Sequence, residues 1–123
     1  MKQNKHTGFI GEQYAASYLQ NHGYQILELN ATSRWGELDI IAQKENTVIF
    51  VEVKTRKSNR QGKPYEAVQN FKLRHLLRTI QYYIHVNRLQ NRKFRMDVIS
   101  IVLNLDDTVH ELKHYENLDT QFS

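Results

Sequence analysis

The stretch from Gly36 to Arg56, GELDIIAQKENTVIFVEVKTR, constrains this chain more than any other. Lys44, Glu45 and Asn46 read as a tight turn joining two strands. Side chains on a strand alternate faces with a period of two. Val48, Phe50, Glu52 and Lys54 therefore share one face of the second strand, and Ile49, Val51 and Val53 share the other. On the first strand the same rule puts Asp39 on a face with Glu37 and Ile41. Strands this apolar on both faces expect cover on both sides. Charged groups inside such strands are costly unless they are paired or bind a metal. Asp39, Glu52 and Lys54 therefore need a compensating partner.

The rest of the chain supplies the layers that cover such a sheet. Thr7 to Asn21 has a helical pattern, with Ile10, Tyr14, Ala15, Tyr18 and Leu19 on one side and Gly23 as a C-terminal stop. Tyr24 to Asn30 reads as a first strand, followed by Glu37 to Gln43 and Thr47 to Thr55. Lys57 to Lys63 reads as a polar loop. Pro64, the only proline, suits the first turn of a helix that runs to about Arg88 on the spacing of Val68, Phe71, Leu73, Leu76, Leu77, Ile80 and Ile84. Asn70 is placed to cap a second segment of that helix. Phe94 to Leu103 and Val109 to Tyr115 read as strands separated by a turn at Asp106 and Asp107. At 123 residues the expectation is a single domain, 1–123, of α/β class with a central mixed sheet.

The charge is segregated along the chain. Net charge is +4, which alone says little. From Lys54 to Arg78, however, the sequence carries Lys54, Arg56, Lys57, Arg60, Lys63, Lys72, Arg74 and Arg78 against Glu66 alone, while Asp106, Asp107, Glu111, Glu116 and Asp119 gather towards the C-terminal end. Basic segregation of this kind attracts phosphate backbones. A solvated loop and helix face is the other reading of such a run. There is no cysteine and no apolar run long enough to cross a membrane as a helix, so a cytoplasmic protein is expected.

Asp39 on one strand and Glu52 on the next place two carboxylates around one point. Mg²⁺ and Mn²⁺ take carboxylate, carbonyl and water oxygens, and the Val53 carbonyl is near enough in sequence to add one. Lys54 follows Glu52 about 6.6 Å along the same face, where an ammonium can steady a water or the charge building on a phosphate. The layout suits hydrolysis of a phosphodiester. Spacing also leaves open a structural arrangement, with Asp39 paired to Lys54 and Glu52 to an arginine. Two carboxylates about 6 Å apart repel by roughly 2–3 kcal/mol at an effective dielectric near 20; a divalent ion offsets this better than one lysine.

The residues also carry a resemblance. Gly11-Glu12, Gly36-Glu37-Leu38-Asp39-Ile40-Ile41 and Phe50-Val51-Glu52-Val53-Lys54-Thr55-Arg56 resemble the YraN-like family of uncharacterised bacterial proteins. The likeness continues through Pro64, Glu66-Ala67-Val68 and Lys72 to Arg95-x-Asp97-Val98. That family is similar to the restriction-endonuclease-like nucleases, and most closely to the archaeal Holliday junction resolvases. The resemblance implies a restriction-endonuclease-like fold, a central mixed sheet flanked by helices, with catalytic Asp39, Glu52 and Lys54. It adds Glu12 from the first helix, so that Asp39, Glu52 and Glu12 would hold Mg²⁺ or Mn²⁺.

The function expected is that of a nucleic-acid-binding protein acting as a divalent-metal-dependent endonuclease, on DNA more than RNA, branched DNA included. Arg56, Lys57, Arg60, Lys63 and Lys72 are the expected phosphate contacts; the resemblance to the resolvases, in which two cuts need two sites, implies a homodimer, while the residues themselves leave the oligomeric state open. The alternative is a non-catalytic DNA- or RNA-binding protein that retains the nuclease fold. A third is a protein-interaction module whose acidic cluster is only structural. The six histidines show no zinc spacing and are expected on the surface. Tyr82 and Tyr83 are expected to pack, Trp35 either to stack on a base or to pack on the core, and Gln69 to reach the site from the helix start.

Overall fold

In the computed structural model, which describes residues 5–59 and 71–117, every strand lies in one sheet. The elements are helix α1 (Lys5–Asn21), strands β1 (Gln25–Ser33), β2 (Gly36–Lys44) and β3 (Thr47–Lys57), helix α2 (Phe71–Val86), and strands β4 (Lys93–Leu103) and β5 (Val109–Tyr115). The expected strands and the first helix are present, with ends shifted by a few residues, and the long helix is present over its described part; its expected start at Pro64 lies outside the described residues. Pro64, Val68, Gln69, Asn70, Arg60 and Lys63 lie outside the described residues, as do the side chains of Lys72 and Arg74. No described helix is long and apolar enough to cross a membrane.

The strands stand in sequence order, β1-β2-β3-β4-β5, and all pairings are antiparallel except β3 with β4. A parallel pair needs a long crossover, and α2 lies within it. The result is a mixed α/β domain with a five-stranded sheet between two helices.

Each helix covers one face because its apolar stripe repeats every four residues. Thr7, Gly11, Ala15 and Leu19 of α1 are buried, and Ala15 and Leu19 pack with Ile49, Val51, Val53, Ile99 and Ile101. On the opposite face Leu76, Ile80 and Ile84 of α2 pack with Ile41, Val48, Phe50 and Met96. β3 is thus buried on both sides, as its composition requires. Gly23, with φ of 88°, ends α1, and the Tyr24 amide donates to the Leu19 carbonyl at 3.0 Å.

The alternation of β2 does not run unbroken. Leu38 and Ile41 belong to the same α2-side cluster, although they are three residues apart, and Ile40 belongs to the α1 side. Opposite this point on β1, Asn30 adopts φ of 53°, and the Asn30–Asp39 position is missing from the register, which also shifts between Ile26 and Glu28. Asn tolerates left-handed backbone better than other side-chain-bearing residues. The kink therefore turns the sheet locally at Asp39, and the simple face assignment for Asp39 does not hold through it.

Candidate active site

β2 and β3 pair from Lys44↔Thr47 to Ile40↔Val51 and no further. Beyond that, β2 continues to pair with β1 as far as Gly36, and β3 continues to pair with β4 as far as Lys57. The sheet divides there into two arms. Asp39 and Glu52 are the first residues past the last paired rung. The site is therefore at the end of the sheet between two interior strands.

The divided strands leave backbone groups without ladder partners, and Asp39 takes one of them. The Val53 amide donates to Asp39 Oδ2 at 2.8 Å. Asp39 also hydrogen-bonds the Glu52 side chain, and Glu52 is only 5% exposed. Burial first, and then the Glu52 charge, push the Asp39 carboxyl up to about 8, although the bond from Val53 works the other way. Two buried carboxyls in contact cannot both ionise cheaply, so at neutral pH Asp39 keeps its proton. That is how the fold accommodates both groups.

Lys54 Nζ lies 3.8 Å from Glu52 Oε2, on the α2-facing side they share by alternation. Glu12 reaches the same region from α1. Burial, and then Glu37, raise its pKa; a hydrogen bond from the Asn30 side chain opposes them, and Glu52 adds to the rise. Gly11 makes this approach possible. A Cβ there would fall 1.9 Å from Thr55 Oγ1 and 2.7 Å from Thr55 Cβ, so only glycine lets α1 lie this close to β3. The structure thus brings Glu12, Asp39, Glu52 and Lys54 together. Among the described residues, however, no three His, Asp or Glu side chains form a ready-made metal cage. The arrangement is a tight pair, Asp39 with Glu52, that Glu12 approaches from the α1 side.

A cavity of about 210 Å³ opens at the pair, lined by Trp35, Gly36, Glu37, Asp39, Glu52, Leu76 and Thr79. The basic residues of β3 separate from one another. Arg56 shares the face of Lys54 and donates from Nη1 to the Lys57 carbonyl at 3.3 Å. Lys57 turns to the α1 face, where its ammonium pairs with Asp107.

Residues 11–101 match a family described as "Uncharacterised protein family UPF0102". The chain belongs to the UPF0102 family. It is 43% identical over 111 residues to a UPF0102 protein of Clostridium perfringens (strain 13), covering 90% of this chain and 91% of that one. A UPF0102 protein of Clostridium acetobutylicum is 44% identical over 114 residues, 93% of each chain. One of Caldicellulosiruptor saccharolyticus is 38% identical over 113 residues, 92% of this chain and 96% of that one. The matched span of this UPF0102 chain includes every carboxylate of the site.

Two groups were not foreseen from the sequence. One is the polar network on the α1 side around Asp97, which is fully buried. Asp97 accepts from Arg95 Nε at 3.0 Å, from Arg95 Nη2 at 3.2 Å and from the Asn117 amide at 2.8 Å, and pairs with His114 Nε2 at 2.7 Å. Tyr18 meets His114 Nδ1 at 3.0 Å, and Arg95 donates to the Tyr24 hydroxyl at 2.7 Å. Burial would raise the Asp97 pKa, but the bonds from His114, Arg95 and the Asn117 amide hold it below the usual carboxylate range. His114 is therefore a correction to the surface assignment: its side chain is 6% exposed, because β5 brings it against Asp97. The sequence hint was Arg95-x-Asp97, two opposite charges in an apolar strand. The second group is Arg78, which α2 brings to Trp35; nothing local in the helix sequence marks it.

Proposed function

We propose that this UPF0102 protein binds nucleic acid and cleaves its phosphodiester bonds with Mg²⁺ or Mn²⁺. The observation that carries this reading is the buried, hydrogen-bonded Asp39–Glu52 pair, at the point where two interior strands part, with Lys54 beside it. A purely structural pair has no use for a second carboxyl that must stay protonated, whereas a divalent cation would displace that proton and neutralise both groups. Mg²⁺ commonly takes one or two protein carboxylates and fills its shell with water and phosphate oxygens, so two carboxylates suffice. Asp39 and Glu52 would hold the ion, with Glu12 completing its surroundings from α1. When bound, such an ion lowers the pKa of its water and neutralises phosphate oxygens. Lys54 would steady the attacking water or the charge developing on the phosphate. The Val53 amide holds the Asp39 carboxyl in place.

The restriction-endonuclease-like fold and the likeness to the archaeal Holliday junction resolvases belong to this proposal. They support DNA over RNA and branched DNA among the substrates, a cytoplasmic location and a homodimer. Arg56 continues the Lys54 face towards the basic segment that holds Arg60, Lys63 and Lys72. Lys57, held by Asp107, is the weakest of the proposed phosphate contacts.

The test is cleavage of linear, branched and single-stranded DNA and RNA with Mn²⁺, with wild type beside Asp39→Asn. Cleavage by wild type and its loss in the variant are expected. A folded, Mn²⁺-binding wild type that cuts none of them would instead favour a non-catalytic nucleic-acid-binding protein.

A further inference from the structure

The turn that closes the β1–β2 hairpin is Arg34-Trp35, and Ser33 braces it. The Trp35 amide donates to Ser33 Oγ at 3.0 Å, and the Ser33 hydroxyl donates to the Gly36 carbonyl at 3.3 Å. α2 crosses this turn so closely that a Cβ on Gly36 would lie 3.2 Å from Thr79 Oγ1. As a result one indole carries two guanidiniums. Arg34 Cζ is 4.6 Å from the Trp35 ring centre and Arg78 Cζ is 4.7 Å from it. Both arginines are exposed, while Trp35 is half-buried and lines the cavity that contains Asp39 and Glu52.

Stacking occupies the flat face of a guanidinium and leaves its in-plane N–H groups free to donate. It also fixes a side chain that would otherwise lose rotamer freedom on binding. Among the described residues neither arginine forms an ion pair with a carboxylate. Two like charges gathered at one ring repel each other, and an anion within reach of both offsets that repulsion. Phosphate, like carboxylate, suits the arginine fork, and it is the anion that a nucleic-acid strand brings to this cavity.

We infer that Arg34 and Arg78, held on Trp35, form a clamp for a backbone phosphate of the nucleic-acid strand entering the carboxylate cavity. This rests on the nucleic-acid reading above and adds the group that seats the strand. The clamp recognises phosphate through guanidinium N–H groups and reads no base edge. Its contribution is therefore independent of sequence.

Trp35 is the only tryptophan in the chain, so its emission reports on this site alone. The experiment titrates the full chain, with Ca²⁺ present, with a single-stranded oligodeoxynucleotide and with its duplex, each in two unrelated sequences. Wild type should show a saturable change in emission. The Arg34→Ala/Arg78→Ala double variant should bind both sequences about tenfold or more weakly, and its slope of log affinity against log salt should fall by about two. The Arg34→Lys/Arg78→Lys variant keeps the charge without the fork; it should retain the slope while losing part of the affinity, which separates the clamp from misfolding. Binding by the alanine variant with unchanged affinity and slope overturns the clamp while leaving the nucleic-acid reading in place. If wild type binds neither oligonucleotide, that reading falls and the clamp falls with it.

Discussion

Asp39 carries a proton in the folded chain that it loses when the chain unfolds. Its carboxyl titrates near 8 when folded and near 3.9 in an open chain. Between those values the folded state binds more protons than the unfolded one, so metal-free stability should fall as pH rises across that window. Asp39→Asn should abolish this slope and stabilise the metal-free protein at about pH 8, by an amount on the order of a few kcal/mol. Urea denaturation with a chelator at several pH values checks this; a destabilised variant would point to a structural ion pair in which Asp39 is needed by Lys54. Asp97 acts in a different window. Its lowered pKa contributes stability above the unfolded value, and that stability is lost as pH falls through the folded one. For Lys54→Ala, Mn²⁺ binding should persist while cleavage falls by roughly two orders of magnitude, the scale of losing one transition-state charge stabiliser. At this scale the sequence was most informative. Asp39, Glu52 and Lys54 were legible because charge in an apolar strand violates a strong rule. The proton that Asp39 keeps beside Glu52 was not, because it depends on burial and contact that no spacing reports.

Among the elements, α1 depends most on a single small residue. Gly11→Ala places a methyl group on Thr55, and β3 is held between two layers and cannot yield freely. The expected cost is about 1–3 kcal/mol, the usual scale for overpacking. Because Glu12 follows Gly11, the same shift should move its carboxyl away from Asn30 and weaken Mn²⁺ binding. Denaturation and titration of the one variant measure both effects; a fully stable Gly11→Ala with unaltered metal affinity would show that the close approach of α1 has no bearing on the site. Helix and strand periodicity predicted α1, β3 and β4 well because each has a continuous apolar pattern. The extension of β1 through Ser33 was not legible. It runs past Asn30 in a left-handed conformation, and a kink of that kind is stabilised by the neighbouring strand and not by its own sequence.

For the whole molecule, function depends on where the sheet opens. β2 and β3 part at Asp39 and Glu52, while the Asp97 network ties α1, β4, β5 and Asn117 together on the α1 side. Asp97→Asn leaves the half-buried Arg95 with only the exposed Glu116 as partner charge and should cost about 1–3 kcal/mol, measurable as a lowered denaturation midpoint with little change in Mn²⁺ affinity. Neither the parting of the strands nor the burial of His114 was legible, since both arise from which strands become neighbours. The central claim is that the Asp39–Glu52 pair is a divalent-metal site waiting to give up a proton. Calorimetric titration of Mn²⁺ into the protein at neutral pH, repeated in buffers of different ionisation enthalpy, tests it most directly. Wild type should bind Mn²⁺ and release about one proton per ion, and Asp39→Asn and Glu52→Gln should each bind much more weakly, Asp39→Asn without proton release. Equal Mn²⁺ affinity in all three proteins, or binding with no proton release by wild type, would contradict it.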